Sequence, residues 1–280
     1  MTLNVEAQTL TMLDMHSLIG SHDVFFLTLD TLRYDVACQM LDSGHTPHLA
    51  ALLPDGRWEA RHTPGSFTYA AHQSFFAGFL PTPIAPGPHP RLFATAFAGS
   101  ETITQNTIVF NAPDIVTGFA SLGYHTICIG GVGFFNKLNP LGSVLPGLFA
   151  ESYWSPSLGV TDPDSTRNQV RLACELLERL PISQRVFLFI NISALHQPNC
   201  HYLPGAQTDS AASQGAALAY VDRQLPPLFS KLRQRGSVLG IVCSDHGTAY
   251  GEDGYSGHRL GHPVVWTVPY AEFVLKGFKS

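Results

Sequence analysis

The feature that most limits what this chain can fold into is a recurring one: a short apolar run that stops at a polar residue. Residues 24 to 29 read Val-Phe-Phe-Leu-Thr-Leu and end at Asp30, and comparable runs occupy residues 125 to 129, 185 to 192 and 237 to 243. Runs this short, rich in β-branched and aromatic residues, fit strands covered on both faces of a parallel sheet. Amphipathic stretches lie between them. Residues 164 to 180 place Val170, Cys174, Leu177 and Leu180 on one face, and Leu218, Val221, Leu225, Phe229 and Leu232 continue a similar stripe toward Gly236. Pro226 and Pro227 should kink or restart that second helix, because proline removes a donor and crowds the preceding turn. The alternation predicts an α/β fold, a mostly parallel central β-sheet flanked by helices on both faces, as one domain over residues 1 to 280. Residues 81 to 90 and much of 130 to 164 read as irregular loops, the expected places for substrate-shaping insertions.

Composition excludes several classes. With 13% charged and 45% hydrophobic residues, the chain is far from the composition that stays disordered. Its formal charge of −5, without a run of Lys or Arg, gives no electrostatic footprint for nucleic acid. No stretch approaches the roughly 20 apolar residues of a membrane span. Glu6, Asp14 and His16 stand where a signal peptide would carry a basic start and an apolar block, so a cytoplasmic location is expected. Cys38, Cys128, Cys174, Cys200 and Cys243 are odd in number and scattered without CxxC spacing, which reads as reduced thiols.

In open α/β sheets ligands collect beyond the carboxyl ends of the strands, so the residues directly after the apolar runs carry the most information. Asp30 follows the first run, Asn191 to His201 the third, and Ser244-Asp245-His246-Gly247 the fourth. Asp245 and His246 offer a carboxylate and an imidazole to one side, a pairing suited to zinc or manganese. Alone, that dipeptide more often means a capping Asp beside a partly buried His. The coincidence with Asp30, with a hydroxyl at Thr68 near a helix start, and with the five histidines His196, His201, His246, His258 and His262 shifts the balance toward chemistry. Thr68 and His72 are one helical turn apart and can share a face. A hydroxyl attacks at neutral pH only when a metal or base takes its proton, and the Asp and His residues could hold that metal.

These residues also form a series. Leu29-Asp30-Thr31-Leu32-Arg33-Tyr34-Asp35, Thr46-Pro47-His48-Leu49, Thr68 to His72 running to Pro81, Gly123-Tyr124-His125-Thr126, Leu195-His196-Gln197-Pro198, and Ser244-Asp245-His246-Gly247 with Gly251-Glu252 and Gly257-His258 resemble, in order, the sulfatase-like branch of the alkaline phosphatase superfamily. The resemblance spans residues 22 to 275 and implies roles. Asp30, Asp245, His246 and His258 would hold metal together with Thr68, which would also be the nucleophile. His72 and His196 would complete the catalytic set, and His201 and His262 would bind substrate, with His262 competing with His258 for the metal. Sulfatases carry a second acid after the first, where this chain has Thr31, and a formylglycine-forming Cys where it has Thr68. Their arginine is His72 here. A threonine nucleophile resembles instead the phosphoethanolamine transferases and nucleotide pyrophosphatase/phosphodiesterases. The resemblance therefore implies one or two divalent ions, zinc or manganese in preference to magnesium or calcium. It implies hydrolysis of a small-molecule phosphoric monoester or diester. The alternatives are a non-catalytic metal-binding relative and a sulfuric-ester hydrolase.

Overall fold

The computed structural model describes residues 13–77 and 114–278. Seven strands form one sheet: β1 (Asp23–Leu29), β2 (Glu59–His62), β3 (His125–Ile129), β4 (Glu151–Tyr153), β5 (Val186–Ile192), β6 (Val238–Cys243) and β9 (Thr267–Leu275), in the order β2-β9-β6-β1-β5-β3-β4. From β6 through β4 every pairing is parallel, whereas β9 runs antiparallel to both β6 and β2. A small hairpin of β7 (Ala249–Tyr250) and β8 (Ser256–Gly257) stands apart from the sheet.

The apolar runs become the central strands because β1 and β5 are buried along their whole length. Side chains alternate across a strand, and β1 divides accordingly. Phe25, Leu27 and Leu29 enter a largely aliphatic core with Val36, Val170, Leu177, Leu218 and Leu228, under the helices Tyr34–Asp42, Ser165–Arg179, Ala211–Gln224 and Pro226–Arg235. Val24 and Phe26 enter an aromatic core with Phe76, Phe135, Phe149, Phe187 and Phe189, under the helices Thr68–Ala77 and Ile115–Ser121. The two prolines do restart the helix: Ala211–Gln224 ends and Pro226–Arg235 begins with Pro in its first turn, where the missing N–H is not needed. The stretch expected to be largely irregular carries one parallel edge strand, β4, among short helical turns. The loop expected at residues 81 to 90 lies outside the described residues. All five cysteines are unpaired, and burial pushes the thiols of Cys128 and Cys243 up. Among the described residues no helix is long and apolar enough to cross a membrane.

Candidate active site

The neighbouring strands β6, β1 and β5 all point their carboxyl ends to one place, and their terminal residues meet there. Asp30 follows β1, Asp245 and His246 follow β6, and Asn191 is the penultimate residue of β5, in register with Thr28. One ligand atom each from Asp30, Asp245 and His246 lies within 4.8 Å of the others, and all three residues are fully buried. Gly247 lets the segment after β6 approach its neighbour. A Cβ there would stand 1.8 Å from the carbonyl oxygen of Val264, while the Gly247 N–H donates to Val265 O at 2.7 Å.

Each carboxylate is anchored through one oxygen only. Asp30 Oδ2 accepts from Asn191 Nδ2 at 3.0 Å, and the Thr68 hydroxyl is 3.4 Å away. Asp245 Oδ1 accepts from the N–H groups of Thr31, at 3.1 Å, and His246, at 3.0 Å. The other oxygens, Asp30 Oδ1 and Asp245 Oδ2, are buried with no hydrogen-bond partner among the described residues. Leaving such an atom buried is costly unless something else satisfies it. Burial first, then the proximity of Asp245, pushes the Asp30 carboxyl up to about 6; burial pushes Asp245 up to about 7. Both are acids short of positive charge.

Thr68, 2% exposed, opens its helix with Oγ1 3.4 Å from both Asp30 Oδ2 and His246 Nε2. His246 Nδ1 donates to Gly247 O at 2.8 Å, which fixes the tautomer and leaves the Nε2 lone pair toward Thr68 and the two acids. Desolvation lowers the pKa of this ring, keeping it neutral.

Thr31 stands where a second acid would be in a sulfatase, and it serves the site through its backbone. Its φ of 62° is an unusual left-handed value for a β-branched residue, held by its hydroxyl donating to Leu195 O at 3.1 Å and by Gln214 Nε2 donating to Thr31 O at 2.8 Å. This conformation aims its N–H at Asp245.

The histidines separate. His196 and His258 join the cluster: the His258 ring lies 4.6 Å from that of His246 and 5.7 Å from that of His196, and His258 Nδ1 is buried without a partner among the described residues. Burial and the neighbouring imidazoles push His258 down to about 3. His262 instead caps the turn Pro263–Trp266, accepting from Val264 N at 3.2 Å and donating from Nε2 to Asp253 at 3.1 Å. His201 is exposed, its ring 4.1 Å from that of Tyr202. His72 lies behind the cluster. Its Nδ1, 3.7 Å from Asp245 Oδ2, donates to Thr68 O at 2.8 Å, and its Nε2 accepts from the Thr28 hydroxyl at 3.0 Å. Phe75, Phe76, Phe135 and Phe189 surround the ring, and burial pushes its pKa down to about 3. Thr28 in turn accepts from Asn191 Nδ2 at 3.2 Å, so one neutral chain of hydrogen bonds ties His72 through Thr28 and Asn191 to Asp30.

The fold that brings these residues together has structural counterparts. The C-terminal periplasmic domain of phosphoethanolamine transferase EptC from Campylobacter jejuni superposes with a TM-score of 0.58 at 14% identity, over 90% of this chain and 80% of that one. The corresponding domain from Escherichia coli, in complex with Zn, gives 0.58 at 12%, over 92% and 74%. A protein in the alkaline phosphatase superfamily from Vibrio parahaemolyticus gives 0.56 at 16%, over 91% and 60%. The chain has the alkaline phosphatase-like fold. No family model matches the sequence, and no curated protein matches it.

Proposed function

We propose that this alkaline phosphatase-like chain is a metal-dependent hydrolase of phosphoric esters with Thr68 as nucleophile. The observation that carries the reading is the pair of partnerless carboxylate oxygens, Asp30 Oδ1 and Asp245 Oδ2, buried beside a hydroxyl. Two adjacent acids and a neutral imidazole with its lone pair turned inward fit a divalent cation, and a mixed oxygen and nitrogen set suits zinc or manganese. Asp30, Asp245 and His246 would hold the ion, with Thr68 beside them. When bound, such an ion supplies Lewis acidity and lowers the pKa of a hydroxyl it touches. The E. coli neighbour crystallised with Zn supports this choice of ion.

The chain's own residues account for the rest. Thr68 Oγ1 forms a bond to phosphorus as the bond from phosphorus to the ester oxygen breaks; its proton passes toward Asp30 Oδ2, and the departing oxygen takes up a proton to leave as the alcohol. Water then cleaves the phosphothreonine. His196, whose Nδ1 donates to Gln197 O at 2.6 Å, and His258, whose Nδ1 is buried without a partner among the described residues, would orient the phosphoryl oxygens. His72, Thr28 and Asn191 hold the Thr68 backbone and Asp30 in place. A cytoplasmic location belongs to the same proposal and is tested by cell fractionation.

The experiment is turnover of aryl phosphate monoester, diester, phosphonate and sulfate by metal-stripped protein reloaded in turn with zinc, manganese, magnesium and calcium. Cleavage is expected to return with the cation and to be absent in Asp245→Ala. It should fall by roughly a thousandfold or more in Thr68→Ala with the cation still bound. Unchanged turnover in folded Thr68→Ala would remove the nucleophile from the reading. Tight cation binding with no ester cleaved would favour a binding role, and cleavage of the sulfate alone a sulfuric-ester hydrolase.

A further inference from the structure

The charges around the cluster leave one cation unaccounted for. Asp30 and Asp245 carry two negative charges in their ionised forms, which a single divalent ion offsets. Arg33, the guanidinium on the loop after Asp30, is committed to Asp35 and Glu252. Arg259 is different. It is exposed, directly follows His258, and its guanidinium has neither a carboxylate partner nor a hydrogen bond among the described residues.

The backbone fixes where that guanidinium sits. Arg259 has a left-handed φ of 69°, and its N–H donates at 2.8 Å to the carbonyl of Ser66, two residues before Thr68. Its side chain then lies over the Phe67 ring, 5.5 Å from guanidinium carbon to centroid, and Phe67 rests against Phe134 at 6.1 Å. A guanidinium stacked on an aromatic face keeps its N–H donors free in the ring plane, where they match the oxygens of an anion. The segment carrying Arg259 is thus pinned to the segment that delivers the nucleophile.

We propose that Arg259 reads the charge of the transferred group, binding a non-bridging oxygen of a phosphate monoester dianion and so favouring terminal phosphates over diesters. The inference rests on the phosphoester reading above and names the substrate class. A monoester dianion has three non-bridging oxygens and two charges to share between the ion and Arg259. A diester has two such oxygens and one charge, and a second substituent in place of the third oxygen. The guanidinium therefore does more for the dianion.

The test is calorimetric binding of inorganic phosphate and of dimethyl phosphate, at pH 8, to zinc-loaded wild type, Arg259→Lys, Arg259→Gln and Arg259→Gly. The glycine variant keeps the left-handed backbone while removing the side chain. Losing a hydrogen bond to a charged group predicts about 10- to 100-fold weaker phosphate binding in the Gln and Gly variants, with Lys between them and wild type. Dimethyl phosphate should change by less than about threefold, and the ratio of kcat/KM for aryl monoester over diester should fall in parallel. Equal losses for both anions, or none for phosphate, would overturn the assignment of Arg259 alone. Zinc-loaded wild type that binds neither anion would overturn the phosphoester reading and this inference with it.

Discussion

Strand β1 carries a buried aspartate at its start and another just past its end, and the two are treated in opposite ways. Asp23, 1% exposed, meets Arg235 Nε at 3.0 Å, Arg185 at 3.3 Å and the Val186 N–H at 3.1 Å. Arg235 spends its remaining donors on the carbonyls of Leu177, Leu180, Pro181 and Gln184, closing the amino-terminal edge of the sheet. Asp30 is equally buried, but the neighbouring charge that acts on it most is another carboxylate, and one of its oxygens faces no donor among the described residues. A buried acid matched by guanidinium is part of the scaffold. One left short of positive charge at the carboxyl edge fits the ligand site proposed above.

Exchanging each acid for its amide should separate the two cases most widely. Asp23→Asn leaves Arg235 buried with its charge unmatched, so the protein should lose about 3–5 kcal/mol of stability while the folded fraction turns over normally. Asp30→Asn should do the reverse. Its amide can donate where Asp30 Oδ1 has no partner, so the metal-free protein should melt at the same temperature or higher. Stabilisation by added zinc should vanish, and turnover should drop by roughly a thousandfold or more. Melting curves with and without zinc, beside initial rates, read both halves. A large loss of stability in metal-free Asp30→Asn would mean that this acid too is structural.

A smaller effect is expected at the latch between the two site loops. Arg33, whose side chain is 5% exposed, is paired with Glu252 on the segment joining β7 to β8, just ahead of His258. Glu252 also accepts from Tyr250 N at 2.6 Å. Burial pulls the Glu252 carboxyl upward, but Arg33 and the Tyr250 N–H outweigh it and hold the group at about 2. A carboxyl depressed in the folded state contributes stability that is fully present above its unfolded value of about 4.3 and lost as pH falls toward 2. The melting difference between wild type and Glu252→Gln should therefore be constant from pH 7 to 5 and shrink below pH 4. The pair ties the loop after Asp30 to the segment that leads to His258, so the same variant should lose between about threefold and tenfold in turnover. A melting difference that stays flat down to pH 3 would show that the ion pair contributes nothing.

How much of this was legible in the sequence follows the same division. Asp30 comes directly after an apolar run, Asp245 and His246 follow another just past Ser244, and the strand-end rule suffices to single out all three as candidates. The parallel core was equally plain. Strand β9 was hidden because Pro269 and Glu272 interrupt its apolar pattern; its mate β2 is exposed along its length, so nothing in Glu-Ala-Arg-His marks it. Asn191 lies inside an apolar strand, and its value depends on register with Thr28, which single-chain periodicity does not give. Thr31 was visible only as a missing acid, since its contribution is an N–H aimed by a left-handed backbone. The spacing of Thr68 and His72 was read correctly as one turn, but the histidine uses that turn to reach the Thr68 carbonyl instead of its hydroxyl.

The smallest predicted effects test how the histidines divide. The family resemblance left His258 and His262 as competitors, four residues apart in a glycine-flanked loop. The sequence did hold a signal: His262 precedes Pro263, and a polar residue before proline is a common way to begin a helical turn. Its two ring nitrogens are already engaged, by Val264 N and Asp253, whereas His258 Nδ1 has no partner among the described residues. His258→Ala should therefore lower turnover by about 10- to 100-fold with little change in melting temperature. His262→Ala should cost about 1 kcal/mol of stability, the worth of a cap, and less than about twofold in turnover. His201→Ala, exposed against Tyr202, should move neither quantity measurably. If His201→Ala or His262→Ala lowered kcat/KM at unchanged stability, the substrate would have to reach well beyond the cluster of Asp30, Asp245 and His246. The site would then be an extended groove across the carboxyl edge of the sheet, and the contrast between its two ends would be one of area as well as charge.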